Sequence, residues 1–65
     1  MYSNKIGIRL IKLRGEKSQT EVAKALGISD SALSMYERGA RIPRDSVKVK
    51  IAKYYGKTVQ SIFFD

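Results

Sequence analysis

The chain has 65 residues, with 13 lysines and arginines against 6 aspartates and glutamates, a net charge of +7 and a pI near 10.0. It contains no cysteine and no histidine, which removes disulfides, thiolate metal clusters and imidazole bases, and its scattered carboxylates show no paired spacing, so an enzyme is close to excluded and none is expected. A domain this small buries only about 60% of the surface its unfolded chain exposes; it needs economical helix packing or a partner chain, and its cationic excess favours a polyanionic partner.

No apolar run has the length of a membrane span or of a signal-peptide core, so a cytoplasmic location is expected. No repeat, linker or low-complexity stretch interrupts residues 1–65, which predicts one domain.

The first helix is expected from about Asn4 to Arg14. Ile6, Leu10 and Leu13 recur at i, i+4 and i+7 with Ile11 beside them, which predicts one inward stripe, while Lys5, Arg9 and Lys12 face water or phosphate. Ser3 or Asn4 is placed to cap it. Gly7 weakens the first turn by up to about 1 kcal/mol relative to alanine, which predicts fraying there.

After Gly15, Glu16 and Lys17, the stretch Ser18 to Leu26 reads as a second helix, because Val22, Ala23 and Leu26 gather on one face. Ser18 is its N-cap, and Glu21, three residues on, completes a capping box. Gly27 stops it. A residue without Cβ takes the left-handed conformation that turns the chain sharply, and Ile28 follows as an apolar plug before Ser29, the cap of a third helix starting at Asp30. In that helix Leu33 and Tyr36 lie inward, Asp30, Ser31, Ser34 and Met35 point outward, and Gly39 ends it.

Ala40 to Pro43 is a loop, since Pro43 disfavours helix at Ile42 and suits the start of a new helix. The fourth helix is expected from Arg44 or Asp45 to Tyr55, closed by Gly56. Val47, Ile51, Tyr54 and Tyr55 form its inward face with Ala52 small enough for close contact; Lys48, Lys50 and Lys53 lie outside. Thr58 caps a last short helix, Val59 to Phe63 or Phe64. Its β-formers also suit a strand, but no partner strand is available elsewhere.

Two short helices joined by a glycine turn have the layout of a helix-turn-helix, whose second helix is presented to the major groove. Spacing alone leaves a DNA-binding unit and a plain helical hairpin both open. The residue types go further. Gln19, Glu21, Ala23, Leu26, Gly27, Ile28, Ser29, Ser31, Leu33, Tyr36, Glu37, Arg38, Gly39 and Pro43 resemble the Cro/phage-repressor, or XRE-type, helix-turn-helix family. Leu10, Leu13 and Arg14 match the Leu-x-x-Leu-Arg ending of its first helix, and the resemblance runs from about Ile6 to Phe63. It implies an all-α fold, a compact bundle of five short helices around a central helix-turn-helix of the lambda-repressor-like kind. The chain departs from the family at Lys17, where relatives carry an apolar residue after a longer link; the hydrophobic staple is lost and the turn is tighter.

The resemblance implies a sequence-selective, double-stranded DNA-binding transcriptional regulator, most simply a repressor that binds a palindromic operator as a homodimer and lies on the nucleoid. Without histidine or cysteine, and with nothing in the chain that offers an effector pocket, no cofactor, metal or small-molecule ligand is expected. Asp30, Ser31, Ser34 and Met35 fall on the base-reading face, with Ser31 and Met35 where the family most often meets base edges; Asp30 either accepts from a cytosine amino group or only favours the helix N-terminus. Gln19, Ser29, Arg38, Arg41, Arg44 and Lys48 are the phosphate candidates, positioning without reading. Gln19 can also brace the recognition helix, and Ser29 also caps it. Arg14 and Glu37 correspond to a partly buried salt bridge that ties the first helix to the recognition helix. Phe63 is expected in the core and Phe64, on another face, at a dimer contact. Two other roles fit the same fold: a DNA-binding antitoxin, whose main partner is a protein, and an interaction adaptor without DNA binding.

Overall fold

The structure is a computed structural model that describes residues 5–64. Five helices carry the fold: α1 (Lys5–Arg14), α2 (Gln19–Leu26), α3 (Asp30–Glu37), α4 (Asp45–Tyr55) and α5 (Val59–Phe63). The expected caps at Ser3 or Asn4 lie outside the described residues.

Three of the four remaining helix starts are closed by the cap the sequence placed there. The Ser18, Ser29 and Thr58 hydroxyls each accept the backbone N–H three residues on, from Glu21, Ala32 and Ser61, all at 3.0 Å. The Glu21 carboxylate makes no return bond to Ser18 among the described residues, so only the serine half of the capping box forms. Arg44 occupies the N-cap of α4 with no side-chain cap bond, and Asp45 in the first turn complements the dipole instead.

None of these helices is long enough to be stable alone; burial holds them. Leu10 of α1, Val22, Ala23 and Leu26 of α2, Leu33 and Tyr36 of α3, Ile51 and Ala52 of α4, and Ile62 and Phe63 of α5 share one core. α1 packs on α3 and α5, α2 on α3 and α4, and α4 on α5.

The inward stripe of α1 forms with one exception: Ile6 and Leu13 pack on the core beside Leu10, as expected, but Ile11 does not join them. Ile11 is 46% exposed, with Ile8 at 50%, while Gly7 is buried with Leu10. Gly7 is the point where α1 touches α3. A Cβ there would meet the Glu37 carbonyl group, 2.9 Å from its carbon, and the Gly39 amide nitrogen at 3.1 Å. Backbone against backbone leaves room only for hydrogen. Arg9, expected to face water or phosphate, instead donates from Nη1 to the Ile62 carbonyl at 2.9 Å and ties α1 to α5.

Candidate nucleic-acid interface

The turn between α2 and α3 is set by Gly27 at φ 72°, where the Gly27 and Ile28 N–H groups return to the Lys24 and Ala23 carbonyls at 3.2 and 3.0 Å. Ile28 then packs on the core. These bonds satisfy the last carbonyls of α2 and fix the angle at which α3 leaves.

α3 is held at both ends. At its C-terminal end Glu37, 4% exposed, accepts from Arg14 Nε at 2.8 Å, Arg14 Nη2 at 3.1 Å and Gln19 Nε2 at 2.8 Å. The buried carboxylate is thus paired with a two-pronged guanidinium from α1 and an amide from α2. The Glu37 hydrogen bond raises the Arg14 pKa above its ordinary value against the opposing pull of burial. Arg14 Nη1 also donates to the Lys17 carbonyl at 2.7 Å, which secures the short link that lacks a staple. The Lys17 side chain reaches across to α4, donating to the Tyr54 hydroxyl at 3.1 Å, and that bond raises its pKa.

At the N-terminal end of α3, Thr20 Oγ1 donates to Asp30 Oδ2 at 2.7 Å. One Asp30 oxygen is therefore spent within the protein, on α2. Sequence reasoning missed Thr20: the partners are ten residues apart, and nothing in the local pattern marks a threonine on an exposed helix face as a brace.

Between these anchors, Asp30, Ser31, Ser34 and Met35 line an open depression of about 310 Å³, edged by Gln19 of α2 and by Arg38. The structure brings together all four residues expected to face bases. Ser31 and Asp30 are exposed, Ser34 and Met35 half-buried. Arg38, Arg41 and Arg44 are exposed along the segment that leaves α3 and enters α4. Ser29 caps α3.

The helix-turn-helix pattern matches residues 8–62, nearly the whole chain. The chain belongs to the helix-turn-helix family. It is also 31% identical, over all 65 of its residues, to the cryptic phage CTXphi transcriptional repressor RstR of Vibrio cholerae, and it spans 57% of that relative's length. The residues that carried the resemblance to the Cro/phage-repressor type all fall within the match except Ile6 and Phe63 at its margins.

In this helix-turn-helix protein, two expected site residues are committed elsewhere. The Gln19 amide points at Glu37, so it braces α3 with its side chain, and the N-terminus of α2 offers only backbone N–H groups to an anion. Lys48 is not on the outside: its side chain is only 12% exposed, 3.6 Å from Asp45 Oδ1, with its ammonium 4.7 and 5.7 Å from the Phe64 and Phe63 ring centres. A cation laid over two aromatic faces buries its stem and shields the rings. Phe64 is 51% exposed beneath it, whereas Phe63 is buried in the core. Tyr55, facing the Arg14–Glu37 pair, has a buried hydroxyl with no hydrogen-bond partner among the described residues. Burial, with the Glu37 charge second, pushes its pKa up to about 12.

No group of three or more acidic side chains that could hold a metal occurs among the described residues, and no helix is long and apolar enough to cross a membrane.

Proposed function

We propose that this protein is a transcriptional regulator that binds double-stranded DNA in a sequence-selective way, a repressor acting as a homodimer on a palindromic operator. The observation that carries the reading is the depression over Ser31, Ser34 and Met35, rigidly presented by the Glu37 and Thr20 bonds and edged by Arg38. The repressor named among its relatives supports the same direction, in a protein of which this chain spans 57%. A cytoplasmic, nucleoid-bound location follows from that role.

Ser31 offers a hydroxyl to several bases and Met35 an apolar contact for a thymine methyl; both carry less information than a bidentate arginine or glutamine. Asp30 keeps one oxygen free for a cytosine amino group. Arg38, Arg41 and Arg44 would hold phosphates, the Ser29 hydroxyl would donate to one, and the free N–H groups opening α2 would receive another, aided by the dipole.

The dimer has a geometric argument. The longest dimension of the described chain is 27 Å, less than the 34 Å or so that separates successive major grooves on one side of a duplex. Reading two of them takes two chains. Phe64, apolar and half-exposed at the end of α5, is the residue we assign to the contact.

Selection of bound sites from a random duplex pool tests the reading. A two-fold sequence should emerge, and log K should fall with log salt with a slope of about −5 to −7 if a dimer neutralises roughly six to eight phosphates. Met35→Ala or Ser31→Ala should change the preferred sequence, while Arg41→Ala should weaken all sequences alike. A salt-insensitive interaction, or recovery of no sequence at all, would overturn the proposal.

A further inference from the structure

A second concavity lies away from the α3 face. It is an open groove of about 570 Å³ between α2 and α4, with Lys24, Lys50 and Lys53 around it and Ala25, Leu26 and Tyr54 beneath. On α2, Lys24 stands five residues from Gln19, about 140° further round the helix axis. Gln19 edges the depression at α3, so the groove opens on a different flank of α2.

Its charge is one-sided. All three lysines are exposed, none makes a hydrogen bond or ion pair among the described residues, and no carboxylate lines the groove. Lys24 and Lys53 sit in the last turns of α2 and α4, where the helix dipole favours a cation. That does not account for Lys50, which stands at i, i+3 from Lys53, a like-charge spacing that costs the free helix stability. The floor is apolar: the exposed Ala25 methyl, the edge of Leu26 and the half-buried Tyr54 ring, whose hydroxyl is turned to Lys17.

A cationic rim around an apolar floor has the anatomy of a small protein interface. We infer that this groove docks an acidic polypeptide segment, one apolar side chain on the floor with two or three flanking carboxylates on Lys24, Lys50 and Lys53. A nucleic-acid backbone brings charge but no apolar group for Ala25, Leu26 and Tyr54. The inference stands apart from the DNA-binding proposal, since it uses none of the same side chains.

The test is an amide-shift titration of the full, isotope-labelled chain with the blocked peptide Glu-Glu-Leu-Glu-Glu and with its Gln-Gln-Leu-Gln-Gln counterpart. The acidic peptide should shift residues 24–27 and 50–54 saturably, the neutral one should not, and K24Q/K50Q/K53Q should bind the acidic peptide on the order of tenfold more weakly, from three exposed ion pairs. These lysines are exposed, so the triple variant should melt like the parent and keep its affinity for the selected duplex. Shifts centred on Ser31, Ser34 and Met35 would mean that the peptide only imitates DNA, and would overturn the inference. So would a duplex oligonucleotide that shifts the groove residues in the parent and not in the triple variant, or the absence of saturable shifts. Because the duplex affinity is read separately, failure here leaves the DNA-binding proposal intact, and the reverse also holds.

Discussion

Replacing Gly7 with alanine sets two effects of known sign against each other. Helix propensity favours the change by about 1 kcal/mol. The added methyl would stand 2.9 Å from the Glu37 carbonyl carbon and 3.1 Å from the Gly39 nitrogen, nearer still to the Glu37 oxygen. Every one of these atoms is backbone, so no side chain can swing aside, and α1 must move off the end of α3. Overpacking of this kind costs about 1–3 kcal/mol and occasionally more. The same face of α1 carries Arg14, two turns on, so retreat at Gly7 also strains the 2.8 Å bond to Glu37. Contact with rigid backbone puts the cost at the upper end, about 3 kcal/mol, so less the propensity gain we expect a net loss of about 2 kcal/mol, against a total of roughly 3–10 kcal/mol for a domain of this length. That corresponds to a fall in Tm of roughly 8–16 °C, read by far-UV circular dichroism in thermal and urea unfolding. A variant that melts at or above the parent would show that propensity wins and that α1 does not approach α3 this closely.

Glu37→Ala leaves the half-buried Arg14 guanidinium without its partner and the Gln19 amide without its acceptor; a cost of about 3 kcal/mol is expected in urea unfolding, and a loss under about 1 kcal/mol would refute the bracing role of the pair. Tyr55→Phe removes a buried, unpaired hydroxyl and should stabilise by about 1 kcal/mol. Its pH dependence has a definite sign. With the folded pKa raised to about 12 from 10.0, the unfolded chain loses its proton first, so stability is full below pH 10 and declines as pH rises toward 12. The partly exposed ring limits that loss to roughly 1–2 kcal/mol, and urea midpoints from pH 9 to 11 should fall less steeply in Tyr55→Phe; parallel curves would refute the assignment. Thr20→Val breaks the bond to Asp30 at an exposed site, so the melting curve should barely move while affinity for the selected duplex falls about threefold to tenfold, as expected for one hydrogen bond. Unchanged affinity would make the bond irrelevant to presentation of α3.

What the sequence discloses and what it hides divides along the range of the interaction. Ser18, Ser29 and Thr58 act on an N–H three residues away, so a reader of the chain finds them directly. Gly27 is legible for the same reason. Gly7 is not, because its meaning is the distance to a helix thirty residues on; locally it reads as a flaw. Ile11 stands about 130° round the helix from the centre of the Ile6, Leu10 and Leu13 stripe, so its exposure is legible in the spacing itself. Lys48 reads as an outward lysine until α5 brings two phenyl rings beneath it. The four residues of the α3 face were found by elimination of the inward ones, while the bonds that steady them, Thr20 to Asp30 and Gln19 to Glu37, span ten and eighteen residues.

Those bonds bear on how so modest a surface can discriminate. Ser31, Ser34 and Met35 offer neither a guanidinium nor an amide fork, so each contact with a base edge would discriminate weakly. Weak contacts count only if they are presented together, without a cost of ordering when they meet the partner. An eight-residue helix cannot provide that order by itself. Here its first residue is bonded to α2, its first turn is capped by Ser29, and its last residue is gripped through the carboxylate by α1 and α2 and through the backbone by the bare face of Gly7. The polar bonds lie at the two ends of α3, exposed at its start and buried only at Glu37, outside the core centre where they would add most to stability. A chain under selection for stability alone would gain more from an apolar pair in place of Arg14 and Glu37. Their placement is explained if the orientation of α3, and not only its burial, is what the fold maintains.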